Sequence, residues 1–195
     1  MPDLDLLRHA LAQPAGESSD FDLNPGFRMP PGRQLRAAAV LVAVLPGQQG
    51  VLLTKRSSHL KHHPGQIAFP GGKLDATDAS LEACALRESQ EEVGLSPDSV
   101  QILGRLPQHE TITGFLITPI LAFVSQPFAP VPEQGEVDEV FNVPLAHLTD
   151  LRHYAIESRR WQGQIRRYYA VPWGPYYIWG ATARILRGMA ERVVR

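Results

Sequence analysis

The segment Gly71–Leu95 places a glycine pair before a predicted helix that carries three carboxylates. Glu88, Glu91 and Glu92 stand at positions i, i+3 and i+4, the spacing at which helical side chains are neighbours. The helix therefore has an acidic face. Opposite it we expect a small apolar face for packing, formed by Ala79, Ala83, Leu86 and Val93.

Three clustered carboxylates repel one another unless a cation neutralises them. Oxygen ligands suit Mg²⁺ or Mn²⁺, and these ions most often serve phosphate chemistry. A solvated acidic face is the alternative, since Glu-rich helices are common. The flanking residues favour a site. Thr77 or Asp78 can cap the start of the helix, and Gly94 can end it in the left-handed conformation. Arg87 reaches Glu91 at i+4 and can orient that carboxylate.

The segment resembles the Nudix box, whose pattern is G-x5-E-x7-R-E-U-x-E-E-x-G-U with U apolar. Arg87–Leu95 matches the right half, with Ser89 where an apolar residue is usual. The left half departs from the pattern. The sixth residue after Gly72 is Asp78 rather than Glu, and eight residues instead of seven separate Asp78 from Arg87.

A second segment, Leu52–Gly72, resembles the signature found just before the box in coenzyme A pyrophosphatases of the Nudix superfamily. Weaker similarity continues through Thr111–Ile120 and Glu136–Leu145, so the resemblance covers roughly residues 37–185. It implies an α/β fold, with an α/β/α sandwich around a mixed β-sheet. It also implies metal-dependent hydrolysis of coenzyme A and its derivatives to 4′-phosphopantetheine and 3′,5′-ADP.

The carboxylate face and the resemblance together give the box residues roles. Mg²⁺ or Mn²⁺ would bind to Gly72, through its carbonyl, and to Glu88, Glu91 and Glu92. Arg87 joins the three glutamates in the catalytic set, and Glu88 is our choice for the base. Glu136 is a second candidate, because Nudix enzymes often bring a carboxylate from a loop far from the box. An exposed acid in a polar loop is the alternative for Glu136.

The stretch Lys55–His63 supplies several cationic donors next to this site. Arg56 can make a bidentate phosphate contact, and Lys61 can act as a point charge. We expect one of them to hold the 3′-phosphate of coenzyme A, with His63 as a further substrate-binding residue. Three histidines in five positions also raise the idea of a zinc site. No cysteine is nearby, however, and the spacing fits no common structural zinc pattern.

Length and composition agree with a single domain over residues 1–195, with an N-terminal helix and arm at about 1–36. The formal charge of −1 gives no reason to expect nucleic acid as a partner. No apolar run approaches a membrane span. Cys84 is the single cysteine, which fits a reducing, cytoplasmic location, and a small buried side chain is the better interpretation than a nucleophile. A homodimer is left open.

Periodicity and turn signals predict the remaining elements. Helices are predicted at Leu4–Ala12, Ala79–Val93, Leu145–Leu148 and Gly180–Val194. Strands are predicted at Ala37–Leu45, Gly50–Arg56, Gln66–Phe69, Val100–Pro107, Phe115–Val124, Val137–Val143, His153–Glu157 and Ile165–Val171. The stretch Gln13–Gln34 is predicted to be an extended arm or loop. Most of the C-terminal aromatic residues should pack in the core or an interface, and one could stack on adenine; they are Trp161, Tyr168, Tyr169, Trp173, Tyr176, Tyr177 and Trp179.

Three functions remain open. The first is hydrolysis of coenzyme A and its derivatives. The second keeps the chemistry and changes the substrate to ADP-ribose, NADH or another nucleoside diphosphate derivative. The third is a catalytically weak protein that binds a nucleotide and regulates a partner. The complete R-E-x2-E-E core argues against the third, since a pure binding module has little use for three crowded carboxylates.

Overall fold

The computed structural model describes residues 2–27, 32–161 and 163–194. Within these ranges the helices are α1 (Pro2–Ala12), α2 (Leu81–Val93), α3 (Leu145–Thr149) and α4 (Ala181–Val193). The strands are β1 (Ser18–Ser19), β2 (Arg36–Leu45), β3 (Gly50–Arg56), β4 (Ile67–Ala68), β5 (Gly71–Lys73), β6 (Val100–Arg105), β7 (His109–Glu110), β8 (Phe115–Val124), β9 (Val137–Val143), β10 (Ala155–Trp161) and β11 (Gln164–Ala170).

Nine of these strands form one mixed sheet, in the order β1-β7-β8-β2-β3-β4. In addition β5 pairs with β2, β6 with β8, and β9 with β3. The central strands β2 and β8 are parallel, from Arg36 opposite Phe115 to Val44 opposite Phe123. The other two strands, β10 and β11, form an antiparallel hairpin of their own. The sheet therefore mixes parallel and antiparallel pairs, as predicted.

The apolar run of β2 is buried on both faces of the sheet, because successive side chains of a strand point to opposite sides. Leu41 packs into a cluster with Cys84, Ala85 and Val93 from the α2 region. Val42 packs into the opposite cluster, to which the other helices contribute Leu7, Leu145, Leu148, Leu186 and Met189. Helices thus cover both faces of the sheet, which confirms the predicted α/β/α sandwich.

Several predicted elements have the bounds found in the structure, and the differences have local causes. The strands predicted at Gly50–Arg56, Phe115–Val124 and Val137–Val143 are β3, β8 and β9. Strands β1, β5 and β7 were not predicted, because two or three residues carry no measurable periodicity. Strand β10 begins at Ala155 instead of His153, since a 3₁₀ turn occupies Leu151–His153.

The arm predicted at Gln13–Gln34 is tied to the sheet and to the hairpin; its residues 28–31 lie outside the described ranges. Strand β1 pairs with β7. The side-chain amide of Asn24 donates to the carbonyl of Arg167 (2.9 Å) and accepts from the Arg167 N–H (2.8 Å). The Asp22 carboxylate accepts from Arg184 (3.2 Å). These bonds place the arm beside β11 and the start of α4.

Candidate active site

Helix α2 begins at Leu81, two residues later than predicted. The Oγ of Ser80 accepts a hydrogen bond from the N–H of Ala83 (3.1 Å), so Ser80 is the N-cap. The expectation that Thr77 or Asp78 caps the helix was therefore wrong. Both residues lie in the preceding turn, where the Asp78 carboxylate accepts from the N–H of Asp75 (2.8 Å). The other end agrees with the prediction, since Gly94 closes α2 in the left-handed conformation with φ of 73°.

The three carboxylates of α2 do not form one acidic face opposite the packing side, which corrects the predicted phase of the helix. Glu92 is only 5% exposed. The side chain of Glu88 is 18% exposed and that of Glu91 is 59% exposed. The buried edge of α2 runs through Ser89, whose hydroxyl donates to the carbonyl of Ala85 (2.7 Å). A small, satisfied Ser89 lets this edge pack closely on the sheet. Ala79 is exposed, Ala83 and Leu86 are only partly buried, and Val93 is buried as expected.

Two glycines bring the backbone of β5 against these carboxylates. The N–H of Gly71 donates to the carboxylate of Glu92 (3.2 Å). Gly71 has φ of 152°, and a Cβ there would overlap the carbonyl oxygen of Ala39 in β2. A Cβ on Gly72 would overlap the carboxyl group of Glu88. Only glycine allows this approach, so the glycine pair sets the position of Glu88 and Glu92 over the strand.

Burial and mutual repulsion act on the carboxylates. Burial raises the pKa of Glu92 to about 7; the Gly71 N–H and the Arg56 charge oppose this shift, and the charges of Glu88 and Glu136 add to it. Burial also raises the pKa of Glu88, against the effect of Arg87 and together with the charges of Glu91 and Glu136. Glu136 therefore lies near both box glutamates, although its residue is exposed and far away in sequence. Its carbonyl accepts from the N–H of Ser57 at the end of β3 (2.8 Å).

The donors of this cluster are oxygens, the atoms that Mg²⁺ and Mn²⁺ prefer. A cation between Glu88 and Glu92 would offset the repulsion and desolvation that raise their pKa values. The chemistry of the donor set thus fits a divalent ion. Among the residues that the structure describes, no three His, Cys, Asp or Glu side chains are grouped around a common metal position.

Arg87 braces the cluster from the side. Its guanidinium donates to both carboxylate oxygens of Asp78 (2.8 and 2.9 Å), to Glu88 (3.0 Å) and to Glu91 (3.1 Å). These hydrogen bonds hold the pKa of Asp78 far below its ordinary value. From the sequence, Asp78 was only a candidate helix cap, because its spacing departs from the box pattern. The structure makes it the residue that orients Arg87.

Cys84 behaves as a small core residue. Burial, together with the charges of Asp78 and Glu88, raises the pKa of its thiol to about 11. The thiol donates to the carbonyls of Lys73 (3.5 Å) and Gly72 (3.7 Å). A neutral, buried thiol is a poor nucleophile, in agreement with the sequence interpretation.

A cavity of about 710 Å³ opens beside the glycine pair. Its lining includes Gly71 and Gly72 but none of the three glutamates of α2. Glu92 and Glu88 lie beside these two glycines, so the carboxylates adjoin the cavity through the strand. The arm forms one side of the cavity, and the β10–β11 hairpin and the start of α4 form another. Cations dominate the lining, and aromatic side chains accompany them. The cationic side chains are Arg36, Arg56, Lys73, Arg159, Arg166, Arg167 and Arg184, and the histidines His62 and His63 also line the cavity.

The structure brings together most of the residues that the sequence predicts for the site. Arg56, His63 and Gly72 line the cavity, whereas Lys61 is exposed and is not part of the lining. Trp179, one of the predicted aromatic residues, also lines it. The arginines of the hairpin were missed. Their only sequence signal is a pair of Arg-Arg steps on either side of the Gly163 turn.

Comparison with known proteins agrees with this geometry. A family model described as NUDIX domain matches residues 35–162. Proteins named "Uncharacterized Nudix hydrolase NudL", from Enterobacter sp. (strain 638) and Salmonella paratyphi B, are each 42% identical over 160 residues, covering 81% of this chain and 83% of the relative. The chain belongs to the Nudix family. The crystal structure of a MutT/nudix family protein from Enterococcus faecalis is 15% identical, covers 87% of this chain and 66% of its own, and superposes with a TM-score of 0.50. At that identity the likeness concerns the fold alone.

The protein is thus a Nudix hydrolase, a pyrophosphatase of a family that acts on nucleoside diphosphate derivatives and generally uses divalent metal ions. In the described part of the chain, none of the helices has the length and apolar character needed to cross a membrane.

Proposed function

We propose that this Nudix hydrolase cleaves the diphosphate bond of coenzyme A and its derivatives, giving 4′-phosphopantetheine and 3′,5′-ADP. The observation that carries the proposal is the cavity of about 710 Å³, which joins the box glycines to a cationic and aromatic wall. This volume lies in the range of sites that enclose a whole ligand. Coenzyme A carries a diphosphate and a separate phosphomonoester, and this charge distribution matches a cavity with cations along its length. The signature-like segment Leu52–Gly72 supports the same substrate.

Glu88, Glu91 and Glu92, with the carbonyl of Gly72, are the residues that we propose to hold Mg²⁺ or Mn²⁺. When bound, the ion would offset phosphate charge and lower the pKa of a water molecule. Arg87 orients Glu88 and Glu91 through its hydrogen bonds. The Gly71 N–H fixes Glu92. These contacts hold the carboxylates in place before substrate arrives, which is the pre-organisation that phosphoryl transfer needs.

Glu88 is the base in this proposal. Its carboxyl group lies against Gly72 at the edge of the cavity and is held by Arg87 (3.0 Å), so it can orient an attacking water. Glu136 is the second candidate, because its charge acts on Glu88 and Glu92 from across the site. Glu136→Gln separates them, because a large loss of kcat would make Glu136 the base, whereas Glu88→Gln removes a proposed metal ligand in either case.

Arg56, at the end of β3, and His63, in the β3–β4 loop, are further proposed substrate contacts. The charge of Arg56 acts on Glu92, which supports a contact of Arg56 with the diphosphate of the substrate. Lys61 is exposed, and its role in substrate binding stays a prediction. The single domain with its arm at about 1–36, the cytoplasmic location and the homodimer also stay predictions.

A panel of substrates tests the proposal. Purified protein with Mg²⁺ or Mn²⁺ is assayed for release of products from coenzyme A, acyl derivatives, ADP-ribose and NADH. We expect the highest kcat/KM for coenzyme A or an acyl derivative. A preference for ADP-ribose or NADH would show that coenzyme A is the wrong substrate assignment, while diphosphate hydrolysis by the Nudix site would still hold. If the protein binds these nucleotides but hydrolyses none of them in the presence of metal, the third function, a nucleotide-binding regulator, is favoured.

A further inference from the structure

Two arginines face each other across the β10–β11 hairpin. Arg159 in β10 is the direct cross-strand partner of Arg166 in β11. Residues opposite each other in an antiparallel pair project from the same face, and like charges in that arrangement destabilise the pair. Both residues line the cavity that also contains Gly72. The hairpin therefore directs two positive charges, at a cost in stability, towards the space in which substrate binds.

Arg159 is held in position by aromatic rings. Its guanidinium carbon lies 4.1 Å from the ring centroid of Trp179 and 6.0 Å from that of Tyr168. Within the described ranges it makes no ion pair with a carboxylate. Stacking fixes the plane of a guanidinium and leaves its N–H groups, which point outward in that plane, able to bind an anion.

Arg166 is partly buried in the same wall. Burial lowers its pKa, the charge of Asp20 opposes that shift, and the charge of Arg159 adds to it. The Asp20 carboxylate is shared with other donors. It accepts from the N–H of Ile112 (2.9 Å) and lies 3.3 Å from Nε2 of the buried His109. The cavity lining has seven arginine and lysine side chains against the two carboxylates of Asp20 and Asp22, so the lining is positive overall.

Two arginine charges, those of Arg56 and Arg159, act on His63 between the box and the hairpin. Burial lowers the pKa of His63, and the charges of Arg56, His62 and Arg159 lower it further, against a hydrogen bond with Gln66. His63 therefore lies within the influence of both Arg56 and Arg159. Since Arg56 in turn acts on Glu92, cationic groups extend from the carboxylates to the far wall of the cavity.

We propose that Arg159 and Arg166 form a second anion subsite, which binds a phosphomonoester of the substrate at a distance from the diphosphate. The inference rests on the proposed function and changes one part of it. The 3′-phosphate is bound by the hairpin, while Arg56 serves the diphosphate end. Two adjacent guanidinium groups suit a phosphate that carries nearly two negative charges, because each can donate two parallel hydrogen bonds.

Calorimetric binding of two product-like nucleotides tests the subsite without any need for turnover. The full chain is titrated with adenosine 3′,5′-bisphosphate and with 5′-AMP, which lacks the 3′-phosphate. We expect wild-type protein to bind the bisphosphate more tightly. Arg159→Gln and Arg166→Gln should each weaken bisphosphate binding by about 10- to 100-fold, the scale of a lost charge-assisted hydrogen bond, and should change 5′-AMP binding by less than about 2-fold.

Arg160→Gln is the matched control. It removes the same charge from the next residue of β10, whose side chain points to the opposite face and is not part of the cavity lining. It should leave both affinities unchanged. Should Arg166→Gln prove unstable by its unfolding midpoint, the exposed Arg159 carries the test alone.

Equal affinity of the wild type for the two nucleotides overturns the subsite, as does unchanged discrimination in Arg159→Gln. If only Lys61→Gln loses the discrimination between the two nucleotides, the binding site of the 3′-phosphate is the β3–β4 loop and not the hairpin. Failure of the proposed function gives a different result. The wild type would then fail to hydrolyse coenzyme A in the kinetic panel while still distinguishing the two nucleotides in the calorimeter.

Discussion

The box region, made of β5 and α2, carries clustered carboxylates behind the glycines that line the cavity, whereas the hairpin wall, made of β10, β11 and Trp179, lines the cavity with arginines. The box region draws its carboxylates and its bracing arginine from a segment of about 25 residues. Its contacts run between near neighbours, such as Arg87 with Asp78 and Glu91. The hairpin wall depends on distant segments, since Asn24 of the arm is bonded to Arg167.

This difference indicates a division of labour. The groups proposed to act on the diphosphate come from one short segment of sequence. The groups proposed to recognise the phosphomonoester of the substrate are brought together by tertiary packing. If the division is real, changes in the box region should abolish turnover and leave nucleotide selection intact. Changes in the hairpin wall should do the reverse.

The largest effect is expected for Glu92→Gln. The substitution keeps the shape of a buried side chain and removes a proposed metal ligand, so kcat should fall by about 10³-fold or more, the scale of losing a main electrostatic stabiliser. Stability should be retained, because burial already disfavours the charged form of Glu92. Discrimination between adenosine 3′,5′-bisphosphate and 5′-AMP should also be retained, which steady-state kinetics and calorimetry can establish together.

Glu82→Gln is the control for Glu92→Gln, because it makes the same change on the same helix. Glu82 pairs with Arg105 (2.7 Å) and lies outside the cavity lining. Its loss should cost less than about 1 kcal/mol, as for other surface ion pairs, with kcat unchanged. Near-normal metal-dependent turnover in Glu92→Gln would remove Glu92 from the metal site.

The glycine pair offers the next test. In Gly72→Ala the added Cβ overlaps the end of the flexible Glu88 side chain, so Glu88 must move while the fold is kept. We expect a loss of about 10²-fold or more in kcat, as for other misplaced catalytic groups, with little change in unfolding midpoint. In Gly71→Ala the Cβ meets the rigid backbone of Ala39 at a φ of 152°. That variant should lose about 1–3 kcal/mol of stability.

A comparison of the two alanine variants by chemical denaturation and kinetics separates positioning from folding. Equal stability losses in both would show that Gly72 serves the fold rather than the placement of Glu88.

Asp78→Asn probes the brace. An amide can accept only one of the two hydrogen bonds from Arg87, so Arg87 should hold Glu88 and Glu91 less well. We expect kcat to fall by about 10- to 100-fold, as for residues that orient metal ligands, with KM nearly unchanged. Asp75→Asn, in the same turn, is the comparison variant. An unchanged kcat in Asp78→Asn would mean that the contact between Asp78 and Arg87 stabilises the structure and does not position the carboxylates for catalysis.

Sequence reasoning reached the fold and the box because both are encoded in short-range patterns. The apolar run of β2 predicts a strand buried on both faces, and Gly94 predicts the end of α2. Periodicity predicted an apolar face of α2 that includes Ala83 and Leu86, whereas it is their neighbours Cys84 and Ala85 that are buried. It put Glu92 on an acidic face away from the packing side, and it could not reveal that the Gly71 N–H satisfies this carboxylate inside the protein.

The hairpin wall was beyond sequence reasoning for a physical reason. Arg159 and Arg166 become neighbours only through the register of β10 with β11, which a sequence does not reveal unless the turn and both strands are placed correctly. The predicted strand ended at Glu157, before Arg159. Likewise Arg56 and Lys61 belong to the same basic stretch of sequence. Only the conformation of the chain between β3 and β4 decides that Arg56 lines the cavity and that Lys61 is exposed to solvent.

The smallest effect concerns the orientation of α2 itself. Leu86 was predicted to be central to the packing face, yet it is only partly buried and touches the edge of its cluster. Leu86→Ala should therefore cost about 1 kcal/mol in urea unfolding, roughly half of a fully buried leucine side chain. Leu186→Ala in α4 is the reference, because Leu186 is 0% exposed and its loss should cost about 2–5 kcal/mol. Equal costs would mean that α2 is rotated towards the predicted phase. In that case Glu92 would turn to solvent, and the buried carboxylate that distinguishes the box region from the hairpin wall would be lost.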